Sequence, residues 1–170
     1  MYSGLLIPVR DVRGRISGLQ CRSDGKEQPK YKWFSTNPER YLSGTSSGTP
    51  IHFVKPDLAA RTGHALIIEG ALKADIVSEY EEVAAIAVAG VSSFKVDSFG
   101  ADIRRAIPQL NEAIIAFDAD WKTNSQVREG LSRLRSSLKA AGLIIKVRVW
   151  NADDGKGLDD LILNSERSRL

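Results

Sequence analysis

The 170 residues make one ordinary domain, or one domain with a small appendage, and 42% hydrophobic with 26% charged residues excludes a disordered tail. A single cysteine, Cys21, and two histidines, His52 and His64, exclude an internal disulfide and argue against a cysteine- or histidine-built metal site, which leaves carboxylates and a hard ion such as Mg²⁺ or Mn²⁺. The net charge of +3 is +5 over residues 1–61 (ten Lys/Arg against five Asp/Glu) and −2 over residues 62–170 (fourteen against sixteen).

The first third reads as β. Leu5-Leu6-Ile7-Pro8-Val9 is a short strand, Asp11 to Arg15 a turn around Gly14, and Ile16 to Arg22 a return strand. A polar loop from Ser23 to Pro29 leads to a third strand, Lys30 to Thr36. The loop Gly44 to Pro50 leads to a fourth, Ile51 to Val54.

After about residue 62 the pattern changes to alternating strands and helices. Ala65 to Ile68 is a continuous apolar run, as in a strand buried on both faces. Residues 71–80 read as a helix with Leu72, Ile76, Val77 and Tyr80 on one face. Val83 to Ala89 is a second buried strand, and a short helix near 99–107 stops around Pro108. Ala113 to Phe117 is a third buried strand. A longer helix follows, capped by Thr123, Asn124 or Ser125, striped by Val127, Leu131, Leu134 and Leu138, and ended by Gly142. Leu143 to Trp150 is a fourth strand and Leu158 to Asn164 a last short helix. The expected fold is α/β, with a parallel four-stranded sheet flanked by helices over 62–170 and a small basic β subdomain over 1–61.

In an open parallel sheet, ligands bind beyond the carboxyl ends of the strands. Glu69 ends the first buried strand, Asp118-Ala119-Asp120 the third, and Asp159-Asp160 follow the fourth. Gly70 lets the chain turn from strand to helix and lets a phosphate approach. In Asp118-x-Asp120 alternate side chains share one side of an extended segment, so both can face one ion. Asp159-Asp160 have a second reading as acids favoured by the dipole at the start of the last helix. Lys156 can neutralise a phosphate or simply offset Asp153 and Asp154. The basic first third is either a polyanion-binding face or ordinary solvated surface.

Leu66-Ile67-Ile68-Glu69-Gly70, Ile115-Ala116-Phe117-Asp118-Ala119-Asp120 and Gly155-Lys156-Gly157-Leu158-Asp159-Asp160 resemble, in order and spacing, the Toprim domain of topoisomerases and bacterial-type primases. Leu6-Ile7-Pro8-Val9-Arg10-Asp11, Arg13-Gly14-Arg15-Ile16-Ser17-Gly18 and Pro29-Lys30-Tyr31 resemble the N-terminal subdomain of the bacterial primase core. Glu69-Gly70-Ala71-Leu72-Lys73-Ala74-Asp75 and Lys156-Gly157-Leu158-Asp159-Asp160 are similar to runs in primase-like Toprim modules of phages, plasmids and integrated elements. The late motif departs from the Asp-Pro-Asp-Glu of cellular primases, and no cysteine-histidine zinc module is present.

The resemblance implies metal-dependent nucleotidyl transfer on nucleic acid, as a primase-type Toprim module in the replication of a mobile element. It implies that Asp118 and Asp120 bind Mg²⁺ or Mn²⁺, that Glu69 places metal or acts as general acid/base, and that Asp159 completes the metal shell. Arg10, Arg22, Lys30 and Lys32 would hold single-stranded template or nascent strand through phosphates, with Tyr31, Trp33 and Phe34 as a stacking platform or, alternatively, as part of a small β core. Lys73 and Lys156 are further nucleotide- or nucleic-acid-binding candidates. Expected partners are single-stranded DNA, nucleoside triphosphates, and a helicase or further replication domains. A Toprim nuclease and a non-catalytic single-strand-binding module are the alternatives. A phosphatase with a DxD nucleophile does not fit, because its motif belongs on the first strand with Thr or Val where Lys122 stands here. No apolar run approaches the ~20 residues that span a bilayer, and the first residues do not have a signal-peptide layout. A cytoplasmic protein is therefore expected.

Overall fold

Strands β1 (Gly4–Arg10) and β2 (Ile16–Ser23) form an antiparallel hairpin in the computed structural model, which describes residues 3–25, 29–35, 48–88, 96–118 and 125–167. The Asp11 carboxylate closes the turn, accepting the N–H groups of Arg13 at 2.9 Å and Arg15 at 3.0 Å and the Arg15 Nε at 2.8 Å. Gly14, at φ 76°, takes the left-handed position such a turn needs. β3 (Tyr31–Trp33) pairs with β2 and completes a three-stranded sheet. It is shorter than the expected Lys30–Thr36, and Thr36 lies outside the described residues.

Directly opposed residues share a face of an antiparallel sheet. Ile7, Gln20 and Trp33 form one row, and Leu5, Arg22 and Tyr31 the next row on the same face. Leu6, Cys21 and Lys32 lie on the opposite face. Ile7, Val9 and Trp33 pack against Ala71 and Leu72, which fastens this sheet to the rest of the molecule.

The second sheet has five strands, in the order β4 (His52–Val54), β6 (Ala85–Val88), β5 (His64–Glu69), β7 (Glu112–Ala116), β8 (Ile144–Val147). The last four are parallel, as expected, but β4 pairs antiparallel to β6. This corrects the expected four-stranded parallel sheet. A three-residue strand has too short a pattern to reveal which sheet it joins. β4 leads into α1 (Pro56–Thr62), which is not among the expected elements. It has Pro at the start, where the missing N–H costs nothing, and Gly63 at φ 75° ends it, its N–H donated to Ala59 O at 2.8 Å.

Alternation along the buried strands sends side chains to both faces. Ala65, Ile67, Ile86, Val88, Ala113 and Ile115 meet α3 (Val96–Ala106) and α4 (Ser125–Ala140) through Phe99, Ile103, Leu134 and Leu138. Leu66, Ile68, Ala85, Ala87 and Ala116 meet α2 (Ala71–Glu81) and α5 (Leu158–Arg167) through Ala74, Val77, Leu158 and Ile162. The α4 stripe is buried as expected, and Gly142 ends that helix at φ 75°; the proposed caps Thr123 and Asn124 lie outside the described residues. The α2 face differs from expectation. Ala71, Ala74, Val77 and Ser78 are buried, whereas Tyr80 is exposed. Small residues let α2 lie close on the sheet, so its packed face is not its most apolar one. α3 and α4 also cross closely, with the Gly100 N–H donated to Ser137 Oγ at 2.9 Å.

β6 starts later than the expected Val83, and Ala89, its expected last residue, lies outside the described residues; β8 is shorter than the expected Leu143–Trp150, and α5 runs past Asn164. Among the described residues no helix is long and apolar enough to cross a membrane.

Candidate active site

The acids gather beyond the carboxyl ends of β5 and β7. Ile68 lies opposite Ala116 in the parallel ladder, so Glu69 is level with Phe117 and Asp118 is the next residue along. Gly70, at φ 92°, turns the chain from β5 into α2, and its N–H reaches Val88 O at 2.8 Å, holding this corner to β6. α2 then places Lys73 in its first turn. The Lys73 Nζ donates to Asp118 Oδ1 at 2.5 Å, and both side chains are sheltered, 25% and 17% exposed.

The last helix supplies the third acid. Asp160 Oδ2 accepts the Gly157 N–H at 3.1 Å, reaching back to the residue before α5 as a capping acid does. Asp159 Oδ1 also lies against Gly157, and it is buried without a hydrogen-bond partner among the described residues. Of the pair, Asp160 is the one that caps, and Asp159 is the one with a buried, unpartnered oxygen. A Cβ on Gly157 would overlap Asp159 Oδ1 and come within 3.1 Å of Lys73 Nζ and 3.4 Å of Asp118 Oδ1. Three charged groups from three elements therefore converge on one glycine.

The electrostatics follow from this convergence. Burial works against the Lys73 ammonium, but the Asp118 hydrogen bond and the charges of Asp118, Asp159 and Glu69 outweigh it and raise its pKa above the ordinary lysine value. Burial, helped by the Asp160 charge and opposed by Lys73, raises the Asp159 carboxyl. Among the described residues no group of three or more His, Cys, Asp or Glu is arranged to hold a metal ion. Asp120, expected as a ligand, lies outside the described residues. The donors that are described do suit a hard cation: they are carboxylate oxygens, and the buried Asp159 Oδ1 has no hydrogen-bond donor among the described residues.

The expected strand-binding residues are spread out. Arg22 and Lys32 sit on opposite faces of the three-stranded sheet. Arg10 Nη1 donates to Gly14 O at 3.2 Å, so its guanidinium lies along the hairpin turn. Lys30 and Lys156 are exposed. Tyr31 and Phe34 are 40% and 60% exposed, while Trp33 packs toward Ala71.

Two relationships were not foreseen from sequence. One is the Lys73–Asp118 pair, between residues 45 positions apart; the available signal was a lysine one turn past the Glu69-Gly70 corner. The other is buried His52, whose Nδ1 accepts the Arg10 N–H at 2.9 Å while Nε2 faces Asp75 Oδ1 at 3.0 Å.

Residues 61–168 match the family model described as Domain of unknown function (DUF3854). The chain is 25% identical over 170 residues to a DNA primase of Synechocystis sp., covering 97% of this chain and 25% of that protein. It therefore spans about a quarter of the length of this curated relative. The Aquifex aeolicus primase (zinc binding and RNA polymerase domains) has a similar fold, with a TM-score of 0.68 at 18% identity over 98% of this chain and 39% of that one. So has the RNA polymerase domain of Mycobacterium tuberculosis primase DnaG, with a TM-score of 0.68 at 19% identity over 100% of this chain and 55% of that one. A DnaG primase catalytic domain bound to single-stranded DNA matches with a TM-score of 0.62 at 21% identity over 98% of this chain and 49% of that one.

Proposed function

The chain belongs to the DUF3854 family, and from that and its primase-core fold we propose that it is a primase-type Toprim module, catalysing metal-dependent nucleotidyl transfer on single-stranded DNA in the replication of a phage, plasmid or integrated element. The observation that carries this reading is the convergence of Asp118, Asp159 and Lys73 beside Glu69, beyond the carboxyl ends of β5 and β7.

In this reading Asp118, Asp120 and Asp159 would hold Mg²⁺ or Mn²⁺, and Glu69 would place the ion or act as general acid/base. The ion would neutralise the triphosphate and favour ionisation of the 3′-hydroxyl. As general base, Glu69 would take the proton as the hydroxyl oxygen attacks the α-phosphorus. The bond from that phosphorus to the bridging oxygen breaks and pyrophosphate leaves. In the same reading Lys73 and Lys156 would meet phosphate charge. The basic segment 1–61 would guide the template over the Toprim unit 62–170, which borrows β4 and α1 from it. β1 supports this. Arg10 is held through His52 to Asp75, and Val9 and Ile7 pack at Ala71 and Leu72. In this reading the template would pass over the row Leu5–Arg22–Tyr31. A helicase or further replication domains would complete the machine in the cytoplasm.

The test incubates the chain with single-stranded DNA, labelled nucleoside triphosphates and Mn²⁺, alongside Asp118→Asn. Labelled oligonucleotides from the wild type alone support primase chemistry. Degradation of the DNA in their place supports the nuclease reading. Salt-dependent DNA binding with no product at any Mn²⁺ concentration supports the binding module.

A further inference from the structure

We propose that Lys73 is a built-in counter-ion of the carboxylate site, which holds Asp118 until a divalent ion arrives, then releases it and turns its ammonium to the phosphates of a bound triphosphate. The inference rests on the metal-binding reading above and concerns how that site is regulated.

Three observations lead to it. First, the ammonium is paired with Asp118 alone and stands beside Asp159 without bridging to it. It is 2.5 Å from Asp118 Oδ1 and lies on the same side of Gly157 as Asp159 Oδ1. Second, α2 does not favour a lysine there. Lys73 sits in the first turn, at the positive end of the helix dipole, where a cation is disfavoured. The charges of Asp118, Asp159 and Glu69 compensate for that position. Third, the lysine leaves the site unfinished. Asp159 Oδ1 stays buried without a hydrogen-bond partner among the described residues.

Ammonium and divalent ion then compete for the same Asp118 oxygen, and as like charges a few ångströms apart they repel. A bound ion drives Lys73 off Asp118. The freed side chain is long enough to swing and has three donors that suit a phosphate. Ion binding and triphosphate binding are thereby linked in sign: the ion creates a cation in search of an anion. The ligand classes are a hard divalent cation and a nucleoside triphosphate.

The test measures Mn²⁺ binding by electron paramagnetic resonance, with no turnover involved, on the wild type, Lys73→Met and Lys73→Gln. Gln retains a hydrogen bond to Asp118 without the charge, so it keeps the test open if the Met variant fails to fold. Both variants are expected to bind Mn²⁺ about tenfold or more tightly, the scale on which a neighbouring charge shifts an ionic equilibrium. With Mn²⁺ saturating, both are expected to bind ATP more weakly than the wild type. Unchanged or weaker Mn²⁺ affinity in folded variants overturns the counter-ion role while leaving the metal site standing. Absence of Mn²⁺ binding in the wild type and both variants overturns the metal-site reading and this inference together.

Discussion

His52 donates its Nε2 proton to Asp75 Oδ1 across 3.0 Å. The tautomer follows from the other nitrogen: Nδ1 accepts the Arg10 N–H at 2.9 Å, so it carries no proton. One buried ring thus joins β1, β4 and α2. His52→Ala leaves a cavity and an unsatisfied N–H, and is expected to cost about 2–4 kcal/mol in denaturant unfolding. Asp75→Ala is expected to cost less, because its side chain is 44% exposed and water can replace it. Equal losses from the two would contradict this assignment.

Asp159 makes stability depend on pH. Its folded-state pKa is raised above the ordinary value of 3.8, chiefly by burial. Between those two values the folded state binds more protons than the unfolded one, so stability falls as pH rises through that window and stays reduced above it. Asp159→Asn is expected to melt higher than the wild type at neutral pH in EDTA, and the gain is expected to shrink as pH falls toward 3.8. A constant difference across that range would rule out the titration.

Gly157→Ala pushes a methyl group into Asp159 Oδ1, an atom at the end of a side chain that can turn away. Unfolding stability is expected to change little. Mn²⁺ affinity is expected to fall by about tenfold or more, as when a ligand's positioning is disturbed. Calorimetric titration with Mn²⁺ reads this directly.

Gly100→Ala meets the backbone carbonyl of Ser137, which cannot move without shifting α4. The expected cost is about 1–3 kcal/mol of overpacking strain, seen as a lower melting temperature. Metal and DNA binding by the protein that remains folded should be unaffected, which separates this glycine from Gly157.

Arg22 and Lys32 offer a test of which face carries the template, because the sheet lies between them. If the strand passes over the Leu5–Arg22–Tyr31 row, Arg22→Ala is expected to weaken single-stranded DNA binding and flatten its log–log salt slope by about 0.7. Lys32→Ala is expected to leave both close to wild type. The reverse pattern would put the template on the Cys21 side.

The elements legible in the sequence are those with strong patterns. Ala65–Ile68 and Ala113–Phe117 read as buried strands because a sheet covered on both faces removes polar residues from the run. The α4 stripe at Val127, Leu131, Leu134 and Leu138 marks a helix on one of those faces. β4 was not legible as a member of the large sheet, nor α1 as a helix, since three and seven residues carry too little periodicity and β4's partner lies far along the chain. The face of α2 was misjudged because close approach selects Ala71 and Ala74 over Tyr80. At the site, Glu69 and Asp118 could be placed from strand ends alone. The Lys73–Asp118 pair depends on how α2 is set against β7, and local spacing does not encode that.

The antiparallel strand at His52–Val54 also acts as a cover. Without it, β6 would present Ala85-Ile86-Ala87-Val88, a run of small apolar residues bearing no charge, as an open edge with free backbone N–H and C=O groups. Such edges recruit further strands and lead to aggregation. A fragment cut at the 61/62 division would keep the acids and Lys73 yet lose this cover, so its failure mode would be self-association through β6. A fragment beginning ahead of Ile51 would keep that edge closed.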